Sequence, residues 1–122
     1  RPGKHPRLFA TEFLGSETST SDTFTFEESN IVEGLAHQGY RTICIGGVGF
    51  FNQQTALSRV FPAMFQESYW SPDFGVTCPD STKHQFQKAA ACLAESPLTQ
   101  RIFLFINISA LHQPNYFYLN KN

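Results

Sequence analysis

The chain has 122 residues, 41% of them hydrophobic and 16% charged, a globular composition at a length that supports one domain with a core of its own. Nine basic against ten acidic side chains leave a formal net charge of -1 with no run of Lys or Arg, so the counterion release that drives nucleic-acid binding has little to act on, and nucleic acid is excluded as a partner. No apolar stretch approaches the roughly 20 residues of a bilayer span, and Arg1-Pro2-Gly3-Lys4-His5-Pro6 lacks a signal peptide's apolar segment, so no membrane association is expected.

Three cysteines, Cys44, Cys78 and Cys92, are an odd number without Cys-x-x-Cys spacing, which favours a reducing, cytoplasmic setting. Cys44 lies inside an apolar strand, where a thiol behaves as a small hydrophobe. Thirteen phenylalanines are many for this length, and a sheet buried on both faces would absorb them.

Residues 1–28 are expected to form a loop-rich surface segment. The stretch Gly15-Ser16-Glu17-Thr18-Ser19-Thr20-Ser21-Asp22 favours loop, because short polar side chains compete with the backbone for its hydrogen bonds. Thr23-Phe24-Thr25-Phe26 then alternates, the pattern of a short extended piece. The ordered core is expected over residues 29–122. Asn30 caps a helix with Glu33 three residues on, Ile31 and Leu35 share one face, and Gly39 ends the helix in a left-handed conformation. Tyr40-Arg41 leads into Thr42-Ile43-Cys44-Ile45, a β-branched, unalternating strand covered on both sides. Gly46-Gly47-Val48-Gly49 breaks it. The aromatic middle is punctuated by Pro62, Pro72 and Gly75, with a short helix predicted over residues 55–60. A longer helix follows: Asp80 or Ser81 caps it, Phe86, Ala90 and Leu93 share a face, and Ser96-Pro97 stops it. Arg101 then delivers the chain into a strand over residues 102–108.

Helix, strand, linker, helix, strand is the order of a parallel α/β sheet with crossover helices. Ligands of such sheets collect outside the carboxyl ends of the strands. Two loops leave those ends, residues 46–52 and 109–119, and the second carries His112. The residues alone leave two readings of His112 open: a catalytic or ligand-binding imidazole, or a loop histidine hydrogen-bonded to backbone. The glycine run is read as a turn that clears space for neighbouring loops in preference to a phosphate cradle, since the full Gly-x-Gly-x-x-Gly or Walker spacing is missing. Asn52 is a candidate substrate contact. Tyr116, Phe117 and Tyr118 either stack on a substrate or lie buried. Asn107, the odd polar residue of its strand, is expected to hold the loop around Ser109. Cys78 has no local base to make it a nucleophile.

Two stretches resemble sulfatases and their relatives in the alkaline phosphatase superfamily. "IVEGLAHQGYRTICIGG" is similar to the family's helix ending in Ala-Gly-Tyr-Arg-Thr that feeds a strand and a glycine, and "RIFLFINISALHQPNYF" to its next strand, which ends in His-x-Pro. The helix between them stands in the family's place, and "GGVGFFN" and "FQESYWSPDFGVT" resemble a bacterial branch of uncharacterised hydrolases. The likeness covers residues 28–118. It implies a three-layer, partial alkaline-phosphatase-like fold and a metal-dependent hydrolase of phosphate or sulfate esters, with a small-molecule ester as substrate. It matches His112 to the active-site histidine of His-x-Pro and Pro114 to its proline, with Asn115 and Tyr116 beside them as substrate-binding candidates. Gly47-Val48-Gly49 stands where sulfatases carry Lys-x-His, and the loss of both charges moves the expected chemistry toward phosphate or phosphonate esters. The family's nucleophile comes from an opening strand and its Asp-His metal pair from a later one. Neither is in this sequence, and Asp22, Asp73 and Asp80 occupy loop or cap positions unsuited to a two-metal cage. The resemblance therefore implies a central part of a longer enzyme, inactive by itself. Its divalent metal (zinc, calcium, magnesium or manganese) belongs to the full-length parent and none to this chain alone. A non-catalytic binding module or degenerate relative is the alternative. Two strands cannot cover their own faces, so self-association through exposed apolar surface is also expected.

Overall fold

The computed structural model describes residues 30–112. The first helix, α1 (Ile31–His37), starts where its sequence provides a cap: the Asn30 side-chain oxygen accepts from the Glu33 amide at 3.0 Å, satisfying one of the otherwise orphaned first-turn N–H groups. It ends two residues before Gly39, whose φ of +84° is the left-handed conformation a glycine adopts without a Cβ penalty. Val32 is buried beneath α1, while Ile31 is 74% exposed. The expected Ile31–Leu35 face is thus turned by one position, with Val32 as the anchor.

Strand β1 (Arg41–Ile45) is central. It pairs in parallel with β2 (Glu67–Tyr69) on one side and with β3 (Ile102–Ile106) on the other, giving the order β2-β1-β3. β2 is a strand the sequence pattern did not disclose. Glu67-Ser68-Tyr69 has no apolar run, and it is drawn into the sheet by contacts made far from it in sequence. Thr42 and Gln66 exchange bonds at its entrance, the Gln66 amide donating to Thr42 Oγ1 at 2.9 Å and the Thr42 amide to Gln66 Oε1 at 3.1 Å. Glu67 receives both the Nε and Nη2 of Arg41, at 2.5 and 2.7 Å, the bidentate geometry that suits guanidinium to carboxylate. β3 stops at Ile106, two residues short of the expected end.

Each face of the sheet has its own cover. On one, Ile43 and Ile45 of β1 lie with Phe74, Ala89 and Cys92, and Tyr69, Ile102, Leu104 and Ile106 pack against them; the helix here is α3 (Ser81–Glu95). On the other, Cys44 lies with Val32, Phe51 and Phe65, surrounded by Phe50, Phe61, Phe103 and Phe105. Most of these ring pairs meet edge-on or tilted, Phe51 with Phe61 at 5.4 Å and Phe61 with Phe105 at 4.9 Å between centroids, while Phe65 and Phe103 stack with centroids 6.0 Å apart, all arrangements that suit an aromatic quadrupole. Much of the phenylalanine excess resides here. The segment between β1 and β2 supplies the cover through a turn at Gly49–Phe51, the short helix α2 (Ala56–Val60) and a turn at Pro62–Met64. α2 begins with a reciprocal cap between Thr55 and Ser58.

α3 presents an unexpected stripe to the sheet. Ser81, Gln85, Ala89 and Cys92 are buried, whereas Phe86 is 54% and Leu93 47% exposed. The Phe86–Ala90–Leu93 face is therefore a flank, and the correction has a physical cause in tethers at both ends. Gln85 bonds to the strand ends, and Arg41 Nη1 donates to the Cys92 carbonyl at 2.9 Å and to Ser96 Oγ at 2.6 Å, so polar bonds and small residues fix the rotation.

Among the described residues no helix is long and apolar enough to cross a membrane.

Candidate functional site

In-register pairing decides where the site can be. Ile45 stands opposite Tyr69 on one side and Ile106 on the other, so all three strands finish level and their carboxyl-end loops form one rim. The pairing runs on into the loops: the Gly46 amide donates to the Tyr69 carbonyl and the Asn107 amide to the Ile45 carbonyl, both at 2.9 Å.

The two glycines after β1 are there for close approach. A Cβ on Gly46 would lie 2.5 Å from Phe51 Cβ and 3.3 Å from Trp70 Cδ1. On Gly47 it would collide with the Asn107 carbonyl oxygen and sit 2.9 Å from both Gln85 Nε2 and Ser109 Cβ. Side chains from three other elements grip this loop. Asn107 Oδ1 accepts from the Val48 amide at 2.9 Å, so Asn107 braces the loop after β1 and not, as expected, the one around Ser109. Trp70 Nε1 donates to the Gly47 carbonyl at 2.9 Å. Gln85 Nε2 donates to the Gly46 carbonyl at 3.2 Å and to the Asn107 carbonyl at 2.6 Å, bridging the ends of β1 and β3. Ser109 anchors the third loop, its Oγ donating to the Phe74 carbonyl at 2.5 Å and lying 3.1 Å from Ser81 Oγ. The loop's carbonyls and the Val48 amide are engaged by the protein itself, which supports the space-clearing reading of the glycines.

On this braced platform His112 follows a single 3-10 turn, Ser109–Leu111, with its amide donating to the Ser109 carbonyl at 3.0 Å. Its side chain is exposed, a position open to a ligand arriving from solvent. Asn52 leaves the same end of the sheet on the neighbouring loop. It is half-buried, and its Oδ1 accepts from the Gln54 amide at 2.9 Å, closing a turn in which Gln53 takes a φ of +60°. Its oxygen is thereby committed to its own loop. Pro114, Asn115 and Tyr116, like Phe117 and Tyr118, lie outside the described residues.

Gln85, Ser81 and Ser109 hold rim positions that sequence reasoning did not assign to them, and Trp70, read from the sequence as either stacking on a substrate or buried, instead donates to the Gly47 carbonyl. Gln85 is fully buried, and its Oε1 has no hydrogen-bond partner among the described residues. A glutamine in register with Ser81, Ala89 and Cys92 was the available signal, masked by the stronger apolar spacing of Phe86, Ala90 and Leu93.

The charged cluster lies toward the opposite end of the sheet. Arg41 joins Glu67 to the end of α3, with Glu95 at 3.6 Å. Donating to the Glu67 carboxylate raises the arginine's pKa further, and the same bond holds the Glu67 carboxyl below its ordinary range. Tyr69 donates to Glu67 Oε1 at 2.8 Å and its phenol is pushed up to about 12, chiefly by that bond; Lys88 Nζ sits 3.9 Å over its ring. These contacts tie strands to helix and leave the cluster a structural clamp. All three cysteines are free, and burial pushes the Cys44 thiol up to about 12, a protonated and unreactive state.

No protein-family model, curated protein or solved structure matches this chain.

Proposed function

We propose that the chain is a central part of a metal-dependent hydrolase of phosphate or sulfate esters, related to the alkaline phosphatase and sulfatase superfamily, and that its carboxyl-end rim forms one wall of the active site. A single observation carries this reading: two strands run parallel and finish level, and an exposed His112 stands just beyond the end of one of them, where open α/β sheets bind ligands. The likeness of "RIFLFINISALHQPNYF" to the family's His-x-Pro strand supports it.

In this reading His112 acts on the oxyanion side, donating an N–H to the oxygen on which negative charge grows or protonating the leaving group. The anchoring of Ser109 to the Phe74 carbonyl and the His112 amide bond to the Ser109 carbonyl support this reading, since they fix the backbone that carries the imidazole. Among the described residues no three His, Cys, Asp or Glu side chains gather to hold a metal ion. They do not fit a metal by themselves, so the chemistry derived for this chain runs through His112 alone, and metal ligands and nucleophile come from outside residues 30–112. A binding module that recognises a ligand without turnover is the second reading, favoured by the engagement of the Gly46–Gly49 loop with the protein's own side chains.

Metal analysis of the intact protein, combined with hydrolysis of p-nitrophenyl phosphate and p-nitrophenyl sulfate, separates the two. The hydrolase reading expects bound divalent metal and turnover of at least one ester, abolished by chelation and restored by metal. Metal-replete protein that cleaves neither ester removes that reading and leaves the binding module.

A further inference from the structure

The segment between β1 and β2 carries a single charged side chain. Residues 46–66 contain no Asp, Glu, Lys or His, and their sole Arg is Arg59, so no carboxylate of the segment neutralises it. Arg59 stands near the end of α2, but a helical side chain leans toward the helix N-terminus, and its Nε donates to the Gln53 carbonyl at 2.9 Å. The guanidinium of an exposed residue is thereby held at the loop that leaves the carboxyl end of β1. Its Nε is spent on that carbonyl, and the fork of its two Nη groups remains.

The loop itself is polarised toward donors. Its carbonyls accept bonds from within the protein: Gly46 and Gly47 from Gln85 and Trp70, Val48 and Gly49 from the Phe51 and Asn52 amides, and Gln53 from Arg59. Asn52 Oδ1 accepts from the Gln54 amide. The other half of that side chain, Nδ2, lies over exposed Gly49, 3.8 Å from where a Cβ would stand. With these acceptors occupied, the Asn52 amide and the Arg59 guanidinium meet solvent as donors, the chemistry that attracts an oxyanion.

Gln53, between them, has a φ of +60°, a left-handed conformation that is costly with a Cβ and persists where its surroundings impose it. Two bonds impose it here, from Arg59 to its carbonyl and across it from the Gln54 amide to Asn52. The same bonds set the two donors in place before any ligand arrives, and such preorganisation favours binding.

We propose that Asn52 and Arg59 form an oxyanion-binding site on the carboxyl-end rim, in which the Nη fork of Arg59 takes a carboxylate, sulfate or phosphate group and Asn52 Nδ2 donates a further bond. An anion held there serves an enzyme or a binding module alike, so this inference does not depend on the proposed hydrolysis.

Titration of the full chain with inorganic phosphate and, separately, with acetate tests it, at constant ionic strength and followed by two-dimensional amide NMR. At least one of the anions is expected to give saturable shifts at the Asn52 side-chain amide, the Gln53 and Gln54 backbone amides and Arg59 Nε. The tighter of the two assigns the group as phosphate-like or carboxylate-like. Arg59→Gln should weaken binding by about tenfold or more, as loss of a charged hydrogen-bond donor does. Arg59→Lys, which keeps the charge and loses the fork, should retain only part of the affinity. Asn52→Asp preserves an acceptor for the Gln54 amide and sets a carboxylate against the site, so it should abolish the shifts while the rest of the spectrum stays in place. The proposal is overturned by the absence of saturable shifts with both anions, or by affinity unchanged in Arg59→Gln and Asn52→Asp. Shifts spread evenly over the other Lys and Arg residues, the mark of diffuse screening, overturn it as well.

Discussion

Gly47 shows how tightly the rim is set. Its missing Cβ leaves room for the Asn107 carbonyl, the Gln85 amide and Ser109, two of them backbone or bridging groups that cannot swing away. Gly47→Ala should cost about 1–3 kcal/mol in equilibrium unfolding, the usual range for an overpacked site. Gln85→Leu removes the donor shared by two carbonyls and should cost a similar amount, about 1–3 kcal/mol, because buried acceptors are left unpaired. Ionisable residues give predictions of sign. Glu67 has a lowered pKa in the fold, so the stability it contributes is complete above the ordinary glutamate value of about 4.3 and is lost as pH falls through the lowered folded value. Cys44 and Tyr69 are raised to about 12, so the unfolded chain releases their protons first and stability declines as pH rises from about 9 toward 12. Denaturant midpoints measured from pH 3 to 11 should therefore fall at both ends, and Cys44→Ala should flatten the alkaline limb. A midpoint that rises above pH 9 would contradict the assignment.

At the scale of elements, ends were legible and faces were not. Asn30 with Glu33, Gly39, the start of α2 and Ser96-Pro97 are local signals, each a side chain or backbone conformation acting within a few residues, and the structure uses all of them. The buried face of α3 depends on what the helix meets: Gln85 reaches two strand ends and Arg41 reaches the Cys92 carbonyl, partners that lie tens of residues away. β2 was illegible for the same reason, being held by Arg41 and Thr42 of another strand. Two glycines of α1 and its exit separate propensity from conformation. A Cβ at Gly34 meets nothing within 4 Å, so Gly34→Ala should stabilise by about 0.5–1 kcal/mol. Gly39, at φ +84°, should lose about 1–2 kcal/mol on change to Ala, the cost of a left-handed conformation with a Cβ. Thermal or denaturant unfolding of the pair reads both signs in one experiment.

For the whole molecule, the parallel α/β arrangement expected from the element order is present, with a third strand that makes β1 the covered centre and lets the phenylalanines enclose one face. His112 at the carboxyl end of β3 was readable because strand direction and loop position follow from that order alone. The bracing beneath it was not, since Trp70, Gln85 and Asn107 converge only after the sheet has formed.

Whether that rim takes part in the proposed ester hydrolysis is asked most directly by His112→Ala in the intact protein. On the proposed reading, and with circular dichroism unchanged, kcat/KM for p-nitrophenyl phosphate or p-nitrophenyl sulfate should fall by about 100-fold or more, the usual contribution of a positioned acid or hydrogen-bond donor. An unchanged kcat/KM would take His112 out of the site and contradict the assignment of the rim.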